Sequence, residues 1–131
     1  MQKHVARGAD LEKKGLYALA EQEYRVALLF DSQDDNLYMS LAHVLIEQKR
    51  WDDATTAVRE AVHLNPNNAN AHVFLSLTLG QKGDLDGEIA EYRELVRLNP
   101  NNDLAHERLG FAHVKKGAWL EAVSKPSVRR S

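Results

Sequence analysis

Six histidines and several acidic pairs are the side chains of this 131-residue chain that most invite a catalytic or metal-binding reading. His4, His72 and His106 fall in one column of a 34-residue spacing, which Tyr38 completes. Zinc needs ligand nitrogens roughly 2 Å from the ion. Neighbours in such a column of packed helices lie about 10 Å apart. A single-ion site is therefore excluded, and the column reads as a slot for aromatic packing. His43, His63 and His113 are scattered, without an acidic or imidazole partner at helical spacing around a clear open site. Asp34-Asp35 and Asp52-Asp53 read as helix-start acids facing the positive end of a dipole. There is no glycine-rich phosphate loop, and serine, histidine and aspartate occur without a triad order. With no cysteine, thiolate chemistry, disulfides and thiol metal sites are excluded as well. The expectation is no enzyme, no cofactor and no metal.

The elements around these residues repeat. A small residue recurs every 34 positions as Gly8, Ala42, Ser76 and Gly110, and a bulky one as Tyr17, Trp51, Leu85 and Trp119. Ala20, Ala54 and Ala122 share a column in which Glu88 is the exception. Pro66 and Pro100 each sit in the phrase Asn-Pro-Asn-Asn. A period of this length is that of one helix–turn–helix unit. Apolar residues at helical spacing, such as Leu37, Leu41, Val44 and Leu45, place helices at 2–14, 17–30, 36–48, 52–64, 69–82, 85–98, 103–116 and 118–125. Gly15, Gly83 and Gly117 are expected to stop the first helix of their units, and Lys49 must do so without glycine's freedom. Asn68 and Asn102 read as N-caps. The small column is expected to face Ala20, Ala54, Glu88 and Ala122, where a carboxylate is costly unless Glu88 reaches solvent or a partner. Pro126 forbids helix beyond Lys125.

These columns resemble the tetratricopeptide repeat, best seen from Asn70 to Asn102. There Ser76 follows Leu75, and then come Leu79, the turn Lys82-Gly83-Asp84, Leu85, Tyr92 and Leu98-Asn99-Pro100-Asn101-Asn102. The resemblance implies an all-α solenoid, a right-handed superhelix of paired antiparallel helices. Three full repeats, 1–34, 35–68 and 69–102, precede a truncated fourth, 103–125, with 126–131 a disordered tail. It also implies a protein-interaction scaffold. The chain carries a formal charge of −2, its first three units are each acidic, and the basic excess lies in the tail. Nucleic acid is therefore not expected, and helical-repeat RNA binding is disfavoured. No stretch approaches the roughly 20 apolar residues of a membrane span. Met1-Gln2-Lys3-His4 is not followed by an apolar run, so no secretory signal is read and a cytoplasmic location is expected.

The resemblance places the first helix of each unit on the concave side. The stripe begins with Gln2, Val5, Ala6, Ala9 and Lys13, and Asn36, Met39, Ser40, His43 and Glu47 follow in the second unit. The third offers Asn70, Val73, Phe74, Leu77 and Gln81, and the fourth Leu104, Glu107, Arg108, Phe111, Val114 and Lys115. Its apolar members favour a groove for a partner's peptide or amphipathic helix, the alternative being that several fill the packing between units. One subfamily clamps a peptide's C-terminal carboxylate with lysines, arginines and asparagines on these helices. Here the matching positions are Val5, Ala9, Ser40, Asn70 and Phe74 or, one unit on, Met39, His43, Phe74, Leu104 and Arg108. Only Arg108 fits, so a clamp of that kind is not expected. The alternative function is assembly. A stub second helix leaves Leu109, Ala112 and Trp119 poorly covered, which favours weak homodimers through the C-terminal end.

Overall fold

The structure, a computed structural model, describes residues 2–124. Among these residues there are seven helices and no strand. They are α1 (Gln2–Lys13), α2 (Tyr17–Phe30), α3 (Asp35–Glu47), α4 (Trp51–Leu64), α5 (Ala69–Gln81), α6 (Leu85–Leu98) and α7 (Asp103–Ser124). Each helix packs on its neighbours in the chain, and α3 also touches α5. That is a stacked row of hairpins, whose first helices α1, α3, α5 and α7 follow one another. The expected tail, 126–131, lies outside the described residues.

Two turns, each repeated in register, build the row. Within a unit, the first helix ends on a residue in the left-handed region: Gly15 (φ 75°), Lys49 (φ 59°) and Gly83 (φ 80°). The next amide then reaches back to a leucine carbonyl, Leu16 to Leu11, Arg50 to Leu45 and Asp84 to Leu79, at 2.9–3.0 Å. Between units, Asp31, Asn65 and Asn99 adopt nearly the same backbone, with φ near −143°. Proline after Asn65 and Asn99 disfavours the helical region for the residue before it. In all three, the side-chain oxygen accepts from the amide two residues on: Gln33, Asn67 and Asn101. Asp34, Asn68, Asp84 and Asn102 then cap the helices that follow.

The fourth unit departs from this plan. The expected stop at Gly117 and the separate helix at 118–125 are not formed, and α7 runs unbroken through Gly117 to Ser124. The reason lies four residues earlier. Leu45 and Leu79 are buried where the first helix ends, and Leu11 is half-buried in the same column. The fourth unit has His113 there, and it is exposed. Without a buried side chain to fasten the reversal, continuing the helix costs only the roughly 1 kcal/mol of a mid-helix glycine.

The apolar interior falls into two clusters. The larger runs from α2 through α5 and includes Ala20, Tyr24, Val44, Leu45, Val58 and Leu75. The smaller joins α6 to α7 through Ile89, Tyr92, Leu95, Ala105 and Ala112, with Leu109 packed against it. Ala112 is thus covered, contrary to expectation, whereas Trp119 is 57% exposed. Gly8 is needed for a different contact from the one expected, because a Cβ there would lie 2.6–2.9 Å from the Tyr24 ring. Glu88 is buried, and its carboxylate meets the Lys115 ammonium of α7 at 3.2 and 3.4 Å.

Polar bridges join successive units. Arg50 donates to Glu21 at 2.6 Å and Gln48 donates to it at 3.2 Å, across from α2 to the end of α3. Burial works against the Glu21 charge, but Arg25, Gln48 and Arg50 outweigh it and hold the carboxyl below its usual range. Within the second unit, Asn65 and Asn68 both donate to Asp35 and tie its two ends together.

Candidate functional site

The histidine column has a structural task. His72 is buried, with Nδ1 2.6 Å from the Glu91 carboxylate and Nε2 2.8 Å from the Pro66 carbonyl. His4 pairs with Glu23 at 2.7 Å, the same relation one unit pair earlier, and His106 meets the Pro100 carbonyl at 2.8 Å. The column is therefore a polar tie between the two helices of a unit and the turn before them, and the expected aromatic packing is present beside it, with the His4 ring stacked on Phe30 (centroids 6.1 Å apart, 9° between planes) and Tyr38 packed against the larger cluster. No group of histidine and acidic residues able to hold a metal ion occurs among the described residues.

The stripe on the first helices divides into two hollows and an open remainder. The first hollow, about 420 Å³, is lined by Glu12, Met39, Ser40, His43, Asn70 and Phe74. A smaller space beside it adds Ala9, Lys13 and Tyr17. Met39 is buried and Phe74 half-buried, both packed in or against the larger cluster, so these two are walls as well as surface. Glu12 is fixed from behind by the Tyr24 hydroxyl, which donates to it at 2.7 Å. Burial first, and then Glu12, push the Tyr24 phenol well above its usual range, so it remains a donor. His43 presents Nδ1 to Glu12, while Nε2 lies 3.6 Å from Glu47. Its ring is tilted by 31° against Phe74, with centroids 6.3 Å apart.

The second hollow, about 280 Å³, lies between α5 and α7 over α6. Val73, Leu77, Leu104, Ala105 and Arg108 form its sides, with Ser76, Tyr92, Leu95 and Asn102 completing it. Val73, Leu77 and Leu104 are 45%, 43% and 56% exposed, so apolar surface faces outward here. Asn36, Glu47, Gln81, Glu107, Phe111 and Val114 are also exposed on the first helices but line neither hollow. Lys115 is turned to Glu88. Glu12 and the α6 residues Tyr92 and Leu95 are missing from the stripe read in the sequence. Glu12 stands next to Lys13, and a stripe one residue wider includes it. The α6 pair belongs to a second helix and becomes part of the groove only as its floor.

With this geometry in view, residues 39–103 match the tetratricopeptide repeat family. A 63-residue stretch is 33% identical to the chloroplast protein "PsbB mRNA maturation factor Mbb1" of Chlamydomonas reinhardtii, covering 48% of this chain and 9% of that protein. The chain thus spans a small part of that relative's length. Among solved structures, it superposes on the crystal structure of MamA with a TM-score of 0.83 at 24% identity, covering 94% of this chain and 72% of that one. The first repeat domain of Spaghetti (RPAP3), bound to the HSP90 peptide SRMEEVD, gives a TM-score of 0.81 at 21% identity and coverages of 88% and 92%. The type III secretion chaperone SycD of Yersinia enterocolitica, in complex with a peptide of the translocator YopD, gives 0.81 at 15% identity and coverages of 88% and 93%.

Proposed function

We propose that this chain, whose 34-residue units belong to the tetratricopeptide repeat family, holds a peptide segment of a partner protein along its first helices. The observation that carries the reading is the outward-facing apolar cleft of Val73, Leu77 and Leu104, with Tyr92 and Leu95 beneath. A cleft of this kind has the form that seats an apolar side chain of a bound segment, with polar groups such as Asn102 and Arg108 beside it to fix orientation. The peptide complexes of the Spaghetti domain and of SycD support the reading as likenesses of fold. The segment differs in kind from an acidic chaperone tail, because Lys115 is tied to Glu88 and Arg108 stands beside Glu107. The test is selection of binders from blocked peptides of about twelve residues, followed by Leu77→Glu. Leu77 is half out of the core, so the variant keeps its helicity and loses the selected binders by at least about tenfold. Binders unaffected by Leu77→Glu place the site elsewhere.

A second reading is favoured by a different surface. Trp119 and Leu120 of α7 are 57% and 48% exposed and lie beside Leu85 of α6, an apolar patch suited to a second copy of the chain. Light scattering over a range of concentrations separates the two. A monomer at high concentration disposes of the assembly reading, and a dimer abolished by Trp119→Glu supports it.

A further inference from the structure

The second helices α2, α4 and α6 repeat every 34 residues, so their outer faces can be compared position by position. α4 carries Asp53, Glu60 and His63 there, and α6 carries Gly87, Glu94 and Arg97. The same positions of α2 are Leu19, Val26 and Leu29. Leu19 is 48% and Leu29 84% exposed, Val26 is half-buried, and Phe30, stacked on His4, continues the patch at 68%. The inner side of α2 is already filled by Ala20, Tyr24 and Ala27, so this helix is apolar on both sides. In water a helix of that kind is one whose outer face is covered. With Gln22 between them, Leu19, Val26 and Leu29 follow a 3-4-3 spacing, which keeps one strip turned toward a helix lying alongside.

We propose that this strip is covered by α2 of a second copy of the chain, the two helices side by side and parallel. The surface is distinct from the groove and from the Trp119 patch, and the proposal rests on neither. The flanks of the strip choose the occupant. Glu23 borders it on one side and Arg25 on the other, the first engaged by His4 and the second by Glu21 of the same chain. Around a two-fold axis along parallel helices, the Glu23 flank of each copy meets the Arg25 flank of the other, whereas antiparallel helices would bring like charges together. Leu19, Val26 and Leu29 then each meet their own counterparts. Gln22 does so as well, the single polar position that fixes register in such a pair. The exposed apolar surface of the strip and Phe30 is on the order of 400 Å² per copy, the size at which a patch on a monomer has a use. Two copies bury roughly 800 Å² of it, the low end for specific association, so the dimer is weak and half formed at about 100 µM.

Sedimentation velocity of the full chain from about 10 µM to about 1 mM is expected to show this dimer. Leu19→Asp with Leu29→His gives α2 two residues of the α4 outer face. Both positions are exposed, so the double variant keeps its helicity and dimerises at least about tenfold more weakly. The chain has no cysteine, so single cysteines report the contact cleanly. Gln22→Cys meets itself across the two-fold axis and is expected to form a disulfide-linked dimer at least about tenfold faster than Thr56→Cys, the same exposed position on α4. This comparison leaves Leu19, Val26 and Leu29 in place, so it decides the matter independently of how the double variant folds. A dimer lost in the double variant and unchanged by Trp119→Glu supports the α2 contact. Equal cross-linking at the two cysteines overturns it, and so does a parent chain that stays monomeric at about 1 mM. A dimer abolished by Trp119→Glu and unchanged in the double variant belongs to the α7 patch, which supports the assembly reading above and overturns this one.

Discussion

Glu88 shows how one residue out of register is accommodated. The same column holds Ala20 and Ala54, both fully buried, and a carboxylate among such contacts needs a partner or solvent. It has the partner. The Glu88 side chain is 9% exposed and lies against Lys115, while Gly80 supplies the room, since a Cβ there would sit 3.3 Å from the carboxyl group. Removing only the cation strands a buried charge. Lys115→Met is therefore expected to cost about 2 kcal/mol. Glu88→Ala restores the column and removes the charge that needs Lys115, so it is expected to be close to neutral, and the double variant far less damaged than Lys115→Met alone. Urea denaturation of the four proteins in a double-mutant cycle checks this, and additive losses contradict it. The sequence alone marks Glu88 as a residue in need of company. It gives no sign of which residue, because Lys115 lies 27 positions away and reads equally well as part of the groove.

The helices show where reading by element succeeds and where it does not. Six of the seven fall within a residue or so of their expected limits, because apolar spacing, asparagine caps and the Asn-Pro phrase act locally. The miss at Gly117 is instructive, since the glycine is in register and the turn is absent. Glycine permits a left-handed turn, but a buried residue four positions before has to hold it, and His113 does not. Lys49 is the converse. Leu45 is fully buried, the turn forms without glycine, and the lysine backbone is forced to φ 59°. A left-handed conformation costs a residue with a Cβ about 1 kcal/mol. Lys49→Gly should recover most of that, less the entropy glycine adds to the unfolded chain, and raise Tm by about 3 °C. Gly83→Ala, in the same turn one unit on, should lower it. Calorimetry of both variants checks the pair, and a Lys49→Gly protein no more stable than its parent argues that the turn carries no strain. The candidate site was legible to a similar extent. Its apolar stripe follows from helical spacing, but the pairing of Glu12 with His43 depends on how α1 meets α3, which no local spacing encodes.

Across the whole molecule, stability should not be uniform. In a row of repeats, each unit is held only by its neighbours, so a weak junction lets one end open before the other. The larger cluster has side chains of α2, α3 and α4 with no exposure at all, among them Ala20, Ala27, Val44, Leu45, Val58 and Ala61. Buried polar residues gather at the third unit, where His72, Ser76, Thr78 and Glu88 interrupt the apolar interior, and beyond them α7 is anchored by Ala105 and Ala112 with Leu109 in support. The two tryptophans lie on either side of this seam, Trp51 in α4 and Trp119 in α7. Each reports on the unfolding of its own helix, α4 or α7. In variants keeping one tryptophan each, Trp119 should pass through its urea transition about 0.5–1 M before Trp51, the separation expected for a difference of about 1–2 kcal/mol. Amide hydrogen exchange should follow the same order, fastest in α7 and slowest in α3 and α4. Coincident transitions with uniform protection from α2 to α7 mean that the α6–α7 contact and the Lys115–Glu88 and Lys116–Asp86 bridges couple the clusters into one cooperative unit.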